Sequence, residues 1–98
     1  MIRVVYHPEA TTDLNQAVAE YNKARRGLGD ALRAEVYGVI ERIRERPQRY
    51  VELEPGIRRA FIRRFPYSTL FEQRGDDSVL VFVIRHHRRH PSFGLTRR

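Results

Sequence analysis

Cysteine is absent from the 98-residue chain, so no disulfide staples it and no thiolate does chemistry; a reducing compartment is the expected setting. Lysine is almost absent as well, since every basic residue of the 19 except Lys23 is an arginine. That skew favours planar, bidentate recognition of phosphate or carboxylate over diffuse point charge. Long apolar runs are missing: the longest, Val79 to Ile84, is six residues, against the roughly 20 that a membrane-spanning helix needs. The N-terminus lacks the apolar stretch of a signal peptide. A soluble, unexported, cytoplasmic protein with no membrane partner is expected. Nor does the chain carry a glycine-rich phosphate loop, a Ser-His-Asp order, a paired-carboxylate site or a zinc pattern. Conventional hydrolase and nucleotide-binding chemistries fall away, and neither a cofactor nor a metal is expected.

What is present is unevenly charged. Residues 1–54 balance nine Lys/Arg against nine Asp/Glu, whereas residues 55–98 set ten arginines against three acids, so the whole net charge of +7 lies in the second part. A pI near 10.7 makes a polyanion or an acidic protein the natural partner. A chain of this length supports one core and therefore a single domain, 1–98.

Ile2 to Tyr6 reads as a short strand, and His7-Pro8 ends it where Pro8 suits the first turn of a helix. Leu14, Ala17, Val18, Tyr21 and Ala24 recur at helical spacing, and Gly27 is expected to close that helix. Asp30 is then a candidate N-cap for a second one, with Leu32, Val36, Val39, Ile40 and Ile43 as its apolar stripe before Pro47. So short a connection makes an antiparallel helix hairpin over about 9–46. Residues 47–56, with two prolines and Gly56, read as a connecting loop that tucks Tyr50 and Val51 against the core.

Strands follow. Ile57 to Phe65 is one, ended by Pro66; Tyr67 to Gln73 is the next, and Arg74-Gly75-Asp76-Asp77 is a hairpin turn. Val79 to Ile84 has the continuous apolar character of a strand buried on both faces. The expected fold is a two-layer α+β domain: a strand, a helix hairpin, then a three-stranded antiparallel meander. Its basic sheet spans about 57–90, and a mobile basic tail covers 91–98.

Three constellations carry possible chemistry. The arginines Arg58, Arg59, Arg63, Arg64, Arg85, Arg88 and Arg89 alternate along strands, so one member of each pair is expected on the open sheet face. There it suits a phosphate backbone or an acidic protein, or is simply solvated. His86-His87-x-x-His90 has metal-like spacing but leaves a strand and lacks a nearby carboxylate or Cys, so acid or base duty suits it better. A histidine beside arginines is expected to stay neutral. Phe61, Phe65, Tyr67, Phe71 and Phe82 stand between basic residues, where aromatics can stack bases as in single-strand binders, but at strand spacing beneath two helices they read as core, with Tyr67 the exception because its hydroxyl needs a partner or solvent.

These features occur with His7-Pro8-Glu9-Ala10, Asp13-Leu14, Gly27-Leu28-Gly29, Ile57-Arg58-Arg59, Arg64-Phe65-Pro66-Tyr67-Ser68, Val81-Phe82-Val83-Ile84-Arg85-His86 and Arg88-Arg89-His90-Pro91. In that order they resemble the RelE/ParE superfamily, small toxins of bacterial type II toxin–antitoxin systems, also called plasmid stabilisation proteins. The resemblance implies a RelE/ParE-like fold, growth arrest, and a cognate antitoxin that wraps the toxin in a hetero-oligomer. RelE-like members cleave messenger RNA on the ribosome without metal, and by that resemblance Arg59, Arg63 and Arg89 would be catalytic, with His86, or else His87 or His90, as a substitute acid or base. Arg58, Arg64, Tyr67, Arg85 and Arg88 would then contact nucleic acid or target. Ser68, however, stands where those members carry a middle arginine, and Phe93 or Leu95 where they carry a tyrosine. ParE-like members are not enzymes but poison DNA gyrase, and the departures favour that mechanism narrowly. A basic nucleic-acid-binding module is the remaining, non-toxin reading.

Overall fold

The computed structural model describes residues 1–98. The order is β1 (Arg3–Tyr6), α1 (Pro8–Ala24), α2 (Leu28–Glu45), β2 (Glu52–Glu54), β3 (Ile57–Phe61), β4 (Tyr67–Arg74) and β5 (Ser78–His86), with a single 3₁₀ turn at Pro47–Arg49. The strands form one sheet in the order β1-β5-β4-β3-β2. β1 runs parallel to β5, and the other neighbours are antiparallel. The α+β architecture expected from the sequence is present, with one more strand than expected.

Helix α1 starts where Pro8 needs no hydrogen-bond partner, and the His7 ring caps it by accepting the Glu9 amide at 3.1 Å. It ends at Ala24, before Gly27. Gly27 is instead the left-handed N-cap of α2 at φ 85°, and Asp30, expected to cap, sits inside the first turn. There it accepts from the Asn22 side chain at 3.3 Å, while Asn22 Oδ1 takes the Gly29 amide at 2.7 Å. The two helices touch through Gly29: a Cβ at that position would lie 2.0 Å from the Val18 carbonyl oxygen. Their apolar stripes, Leu14, Ala17 and Val18 with Leu32, Val36, Val39, Ile40 and Ile43, meet Phe71, Val79, Val81 and Ile84 of the sheet in the main core.

Val79 to Ile84 is buried throughout, because β5 is flanked by β1 and β4 and both of its faces are covered. A bulge divides its residues: Leu70 pairs with Val83 but Phe71 with Val81, leaving Phe82 as the extra residue. Val81 and Ile84 therefore face the helices, while Phe82 and Val83 join Ile57, Leu70 and Leu80 on the opposite face.

Four expectations need correction. Residues 47–56 are not merely a loop, because Glu52–Glu54 pairs with β3 as an edge strand; Tyr50 packs edge-on to Phe71 at 5.8 Å, but Val51 is exposed. β3 stops at Phe61 rather than Phe65, since Arg64 adopts a left-handed φ of 74° ahead of Pro66. Arg63 and Arg64 thus lie on a turn, and only Arg58/Arg59 splits across the sheet. Phe61, not Tyr67, is the exposed aromatic of its set, at 59%. Finally, residues 91–98 do not hang free. They fold through successive turns, with Phe93, Leu95 and Arg97 amides donating to the carbonyls of His90, Ser92 and Gly94, and Phe93 and Leu95 pack on the second apolar face.

Because the α1–α2 contact has no room for a methyl group, Gly29→Ala should destabilise the fold by about 3 kcal/mol, the upper part of the overpacking range. Urea unfolding of the two proteins measures this, and equal midpoints would show that the hairpin can open without cost.

Candidate functional site

The sheet face away from the helices carries a cleft of about 670 Å³ lined by Arg59, Phe61, Ser68, Arg85, His87 and Arg89 of the sheet and its exit, by Leu53 and Glu54 of β2, and by His90 to Ser92 and Leu95. Period-two alternation and strand register build it. Phe61 pairs with Ser68 and Ser68 with Arg85, giving one cross-strand row; Arg59, Leu70 and Val83 form the next.

Within the cleft, Ser68 Oγ and His87 Nε2 lie 2.9 Å apart, and Ser68 is buried. The His87 ring stands edge-on to Phe61 at 5.4 Å, while the Arg59 guanidinium lies over the Phe61 ring at 4.4 Å. Arg59 Nε is the one buried side-chain polar atom with no hydrogen-bond partner. Arg89 rests on the Phe93 ring at 4.7 Å, and neither Arg59 nor Arg89 has a carboxylate within ion-pair distance. Arg85 is committed differently: its guanidinium donates to the carbonyls of Pro91 at 2.7 Å and Phe93 at 2.9 Å. Burial, then the neighbouring Arg59 charge, lowers its pKa from the ordinary arginine value.

A second groove, about 340 Å³, lies between α1 and the sheet end, where Asp13, Gln16 and Glu20 face Tyr67, His86, Arg88 and Arg89. Tyr67 and His86 are cross-strand partners with rings 5.2 Å apart, edge to face. His86 Nδ1 already accepts the Arg88 amide at 3.0 Å. Burial, followed by the charges of Arg88, His87 and Arg89, pushes the His86 pKa down, so the ring favours its neutral form. Burial, followed by Tyr21 and Glu20, raises the Tyr67 phenol.

The residues singled out from the sequence are therefore dispersed. Arg59, Arg85 and Arg89 meet in the open cleft. His86, Arg88 and Tyr67 line the groove, which shares Arg85 and Arg89 with the cleft. Arg58 points to the helix side and donates to the Tyr50 carbonyl at 2.7 Å; Arg63 and Arg64 sit on the β3–β4 turn, lining neither cavity. Of the three histidines, His87 and His90 face the cleft and His86 does not.

A family profile described as "ParE toxin of type II toxin-antitoxin system, parDE" matches residues 4–91. The chain belongs to the ParE toxin family. A solved structure titled "Chromosomal ParDE TA system from P. aeruginosa" superposes on it with a TM-score of 0.70 at 20% identity, covering 88% of this chain and 96% of that one. At that identity the likeness speaks for the fold. No curated protein sequence matches the chain. The ParE fold here accounts for the strand, helix hairpin and sheet order, and the type II toxin class is the one that the family profile names.

The wall of the cleft is held by its last residues. Arg97 forks onto Asp13 of α1, with Nη2 to Oδ1 at 3.2 Å, and donates to the Phe82 carbonyl at 3.1 Å; both side chains are only 11% exposed. Asp13 in turn accepts the Ile84 amide at 3.2 Å. Arg98 reaches Glu72 at 2.7 Å and Glu54 at 3.6 Å. Burial alone would raise the Glu72 carboxyl, but hydrogen bonds and charge from Arg98 and Arg74 outweigh it and hold the pKa below 4.5. Gly94 makes the crossing possible: at φ 81°, its added Cβ would come within 2.5 Å of a Val83 methyl.

Removing one partner of the buried pair, as in Arg97→Leu, should cost about 3–5 kcal/mol because Asp13 is left uncompensated. Chemical denaturation gives the loss, and faster hydrogen exchange at the Ile84 amide should accompany it. Glu72 adds a pH signature. Its folded pKa lies below the unfolded value, so its stabilisation is complete above about pH 4.5 and disappears as pH falls through the folded value. The stability gap between the parent protein and Arg98→Ala should therefore be widest near neutral pH and shrink in acid; a gap independent of pH would mean that the Glu72 contact is not what Arg98 contributes.

Proposed function

We propose that this chain is the growth-arresting subunit of a type II toxin–antitoxin module, that a cognate antitoxin blocks it in a hetero-oligomer, and that its target is DNA gyrase rather than messenger RNA. The observation that carries the choice of target is what occupies the centre of the open cleft. Ser68, a neutral hydroxyl, sits between Phe61 and Arg85, and Arg85 is tied through Nη1 to the carbonyls of Pro91 and Phe93. Cleaving RNA through its own 2′-hydroxyl needs a base, an acid and several cations around the phosphorane. Only Arg59 and Arg89 are without a side-chain hydrogen bond to the fold there, and His86 faces the other groove. Membership of the ParE family supports the same choice.

One pair favours the second reading, ribosome-dependent RNA cleavage. His87 and Ser68 at 2.9 Å, beside Arg59 and Arg89, provide an imidazole within reach of a proton and cations near it. On that reading His87, not His86, is the acid or base.

Brief expression without antitoxin separates the two. Loss of plasmid supercoiling and a DNA-damage response with intact transcripts is the expected result. Cleaved transcripts with normal supercoiling, abolished by His87→Ala, would overturn it in favour of the nuclease.

A further inference from the structure

The sheet has two edges, and only one of them is protected. At β2 the edge is three residues long, carries Glu52 and Glu54 and slips register between them, all of which discourage a further strand. At the other edge β1 runs Arg3-Val4-Val5-Tyr6 with no such irregularity. Val5 and Tyr6 on this strand, and Tyr37 of α2 beside it, are three of the seven large apolar side chains that stay exposed. So much apolar surface on an open edge calls for a cover.

The backbone groups of β1 divide by parity. The Arg3 and His7 amides donate to the Asp77 and Val81 carbonyls, so Arg3, Val5 and His7 turn their N–H and C=O groups toward β5, and Val4 and Tyr6 turn theirs outward. The outward row is closed at both ends. Arg44 Nε already donates to the Ile2 carbonyl at 2.9 Å, and Pro8, which opens α1, has no N–H. What remains is a frame centred on Val5 with one outward residue on each side, and such a frame is its own complement. Set antiparallel to a second β1 about a two-fold axis through Val5, Val4 meets Tyr6 of the copy and Tyr6 meets its Val4, each pair exchanging both N–H···O bonds. Valine then lies against tyrosine on the helix side and Val5 against itself on the other, pairings that sheets favour. Charge permits the contact. In the groove of about 340 Å³ beside the edge, Glu41 and Arg44 pair at 3.0 Å, which leaves Arg3 as the one unpaired charge of the lining. Arg59 lies three strands away on β3, roughly 14 Å at strand spacing. An acidic strand would find a single free cation here, whereas a second valine-tyrosine edge finds matching apolar surface.

We propose that β1 is a self-association edge, through which two copies of this chain join antiparallel about Val5 into one continuous sheet. No β1 residue lines the basic cleft, so the pairing leaves that cleft open in both copies. One pair of short strands buries less than the roughly 1,200 Å² of stable complexes, and the charge of +7 on each copy opposes the approach. The dimer is therefore weak, forms at high protein concentration and strengthens with salt, because the screening length falls from about 10 Å at 0.1 M to about 3 Å at 1 M.

Sedimentation equilibrium of the purified protein over a concentration series, at low and at high salt, tests this. The mass should rise from monomer toward dimer with concentration, and further in high salt. Val5→Lys sets two ammonium groups against each other on the axis and should hold the protein monomeric; Val5→Thr should still dimerise, and circular dichroism checks that both variants fold. Because the chain has no cysteine, cross-linking reads the register directly. On the axis the two Cα atoms of residue 5 lie about 4.5 Å apart, within disulfide reach, whereas those of residue 3 are offset by about 14 Å along the strands. Mild oxidation should therefore give a covalent dimer for Val5→Cys and none for Arg3→Cys. A protein that stays monomeric at every concentration and salt would overturn the proposal and leave the edge to a different chain. Dimerisation that survives Val5→Lys, or equal cross-linking of the two cysteine variants, would overturn it as well.

Discussion

The Asp13–Arg97 pair is the contact on which the arrangement of the sheet's working face depends. β1 is short, and its pairing with β5 ends at Tyr6↔Val81. Beyond that point β5 has an open edge whose buried amide and carbonyl groups would be unsatisfied, a costly state for backbone. Asp13 takes the Ile84 amide and Arg97 supplies a donor to the Phe82 carbonyl, so two side chains finish the edge that a longer β1 would have covered. Since Arg97 is the residue that closes it, the chain before Arg97 must cross the second apolar face, and Phe93 and Leu95 cover that face on the way. One ion pair therefore links strand edge, second core and cleft wall.

That geometry changes what the arginine excess means. Arg58, Arg85, Arg97 and Arg98 are occupied with carbonyls or carboxylates of the fold itself. A guanidinium with several fixed donors can satisfy two acceptors at once, which the single ammonium of lysine does with less directionality. Much of the positive charge is thus structural, and the sites available to a partner reduce in the open cleft to Arg59 and Arg89. A net charge of +7 would not have distinguished the two uses.

The elements were legible where local chemistry is strong. Pro8 after His7, the 3.6-residue stripes of the two helices, the Arg74–Asp77 turn and the apolar run from Val79 to Ile84 each lead to the observed element, because period and turn residues act over a few neighbours. Legibility failed where the deciding partner is distant. Glu52–Glu54 is a strand only because β3 offers it an edge, and residues 91–98 fold back on the sheet because Asp13, Glu54 and Glu72 take their arginines. Phe61 has the spacing of a core residue; the turn at Arg64 and the absence of a helix on that face leave it exposed. The parity that places Phe61 with Arg59 was present in the sequence, but the bulge at Phe82 and the placement of His87 against Ser68 were not.

By itself, then, the sequence determined the family, the α+β class, and a basic second half ending in strands, because these follow from residue order and short-range periodicity. Tertiary structure alone decided which arginines are bonded to the fold and which are free, and which histidines face the cleft. It also decided that the last residues wall that cleft. The physical reason is that charge neutralisation and edge pairing are settled between residues far apart in the chain: Asp13 and Arg97 meet across nearly its whole length.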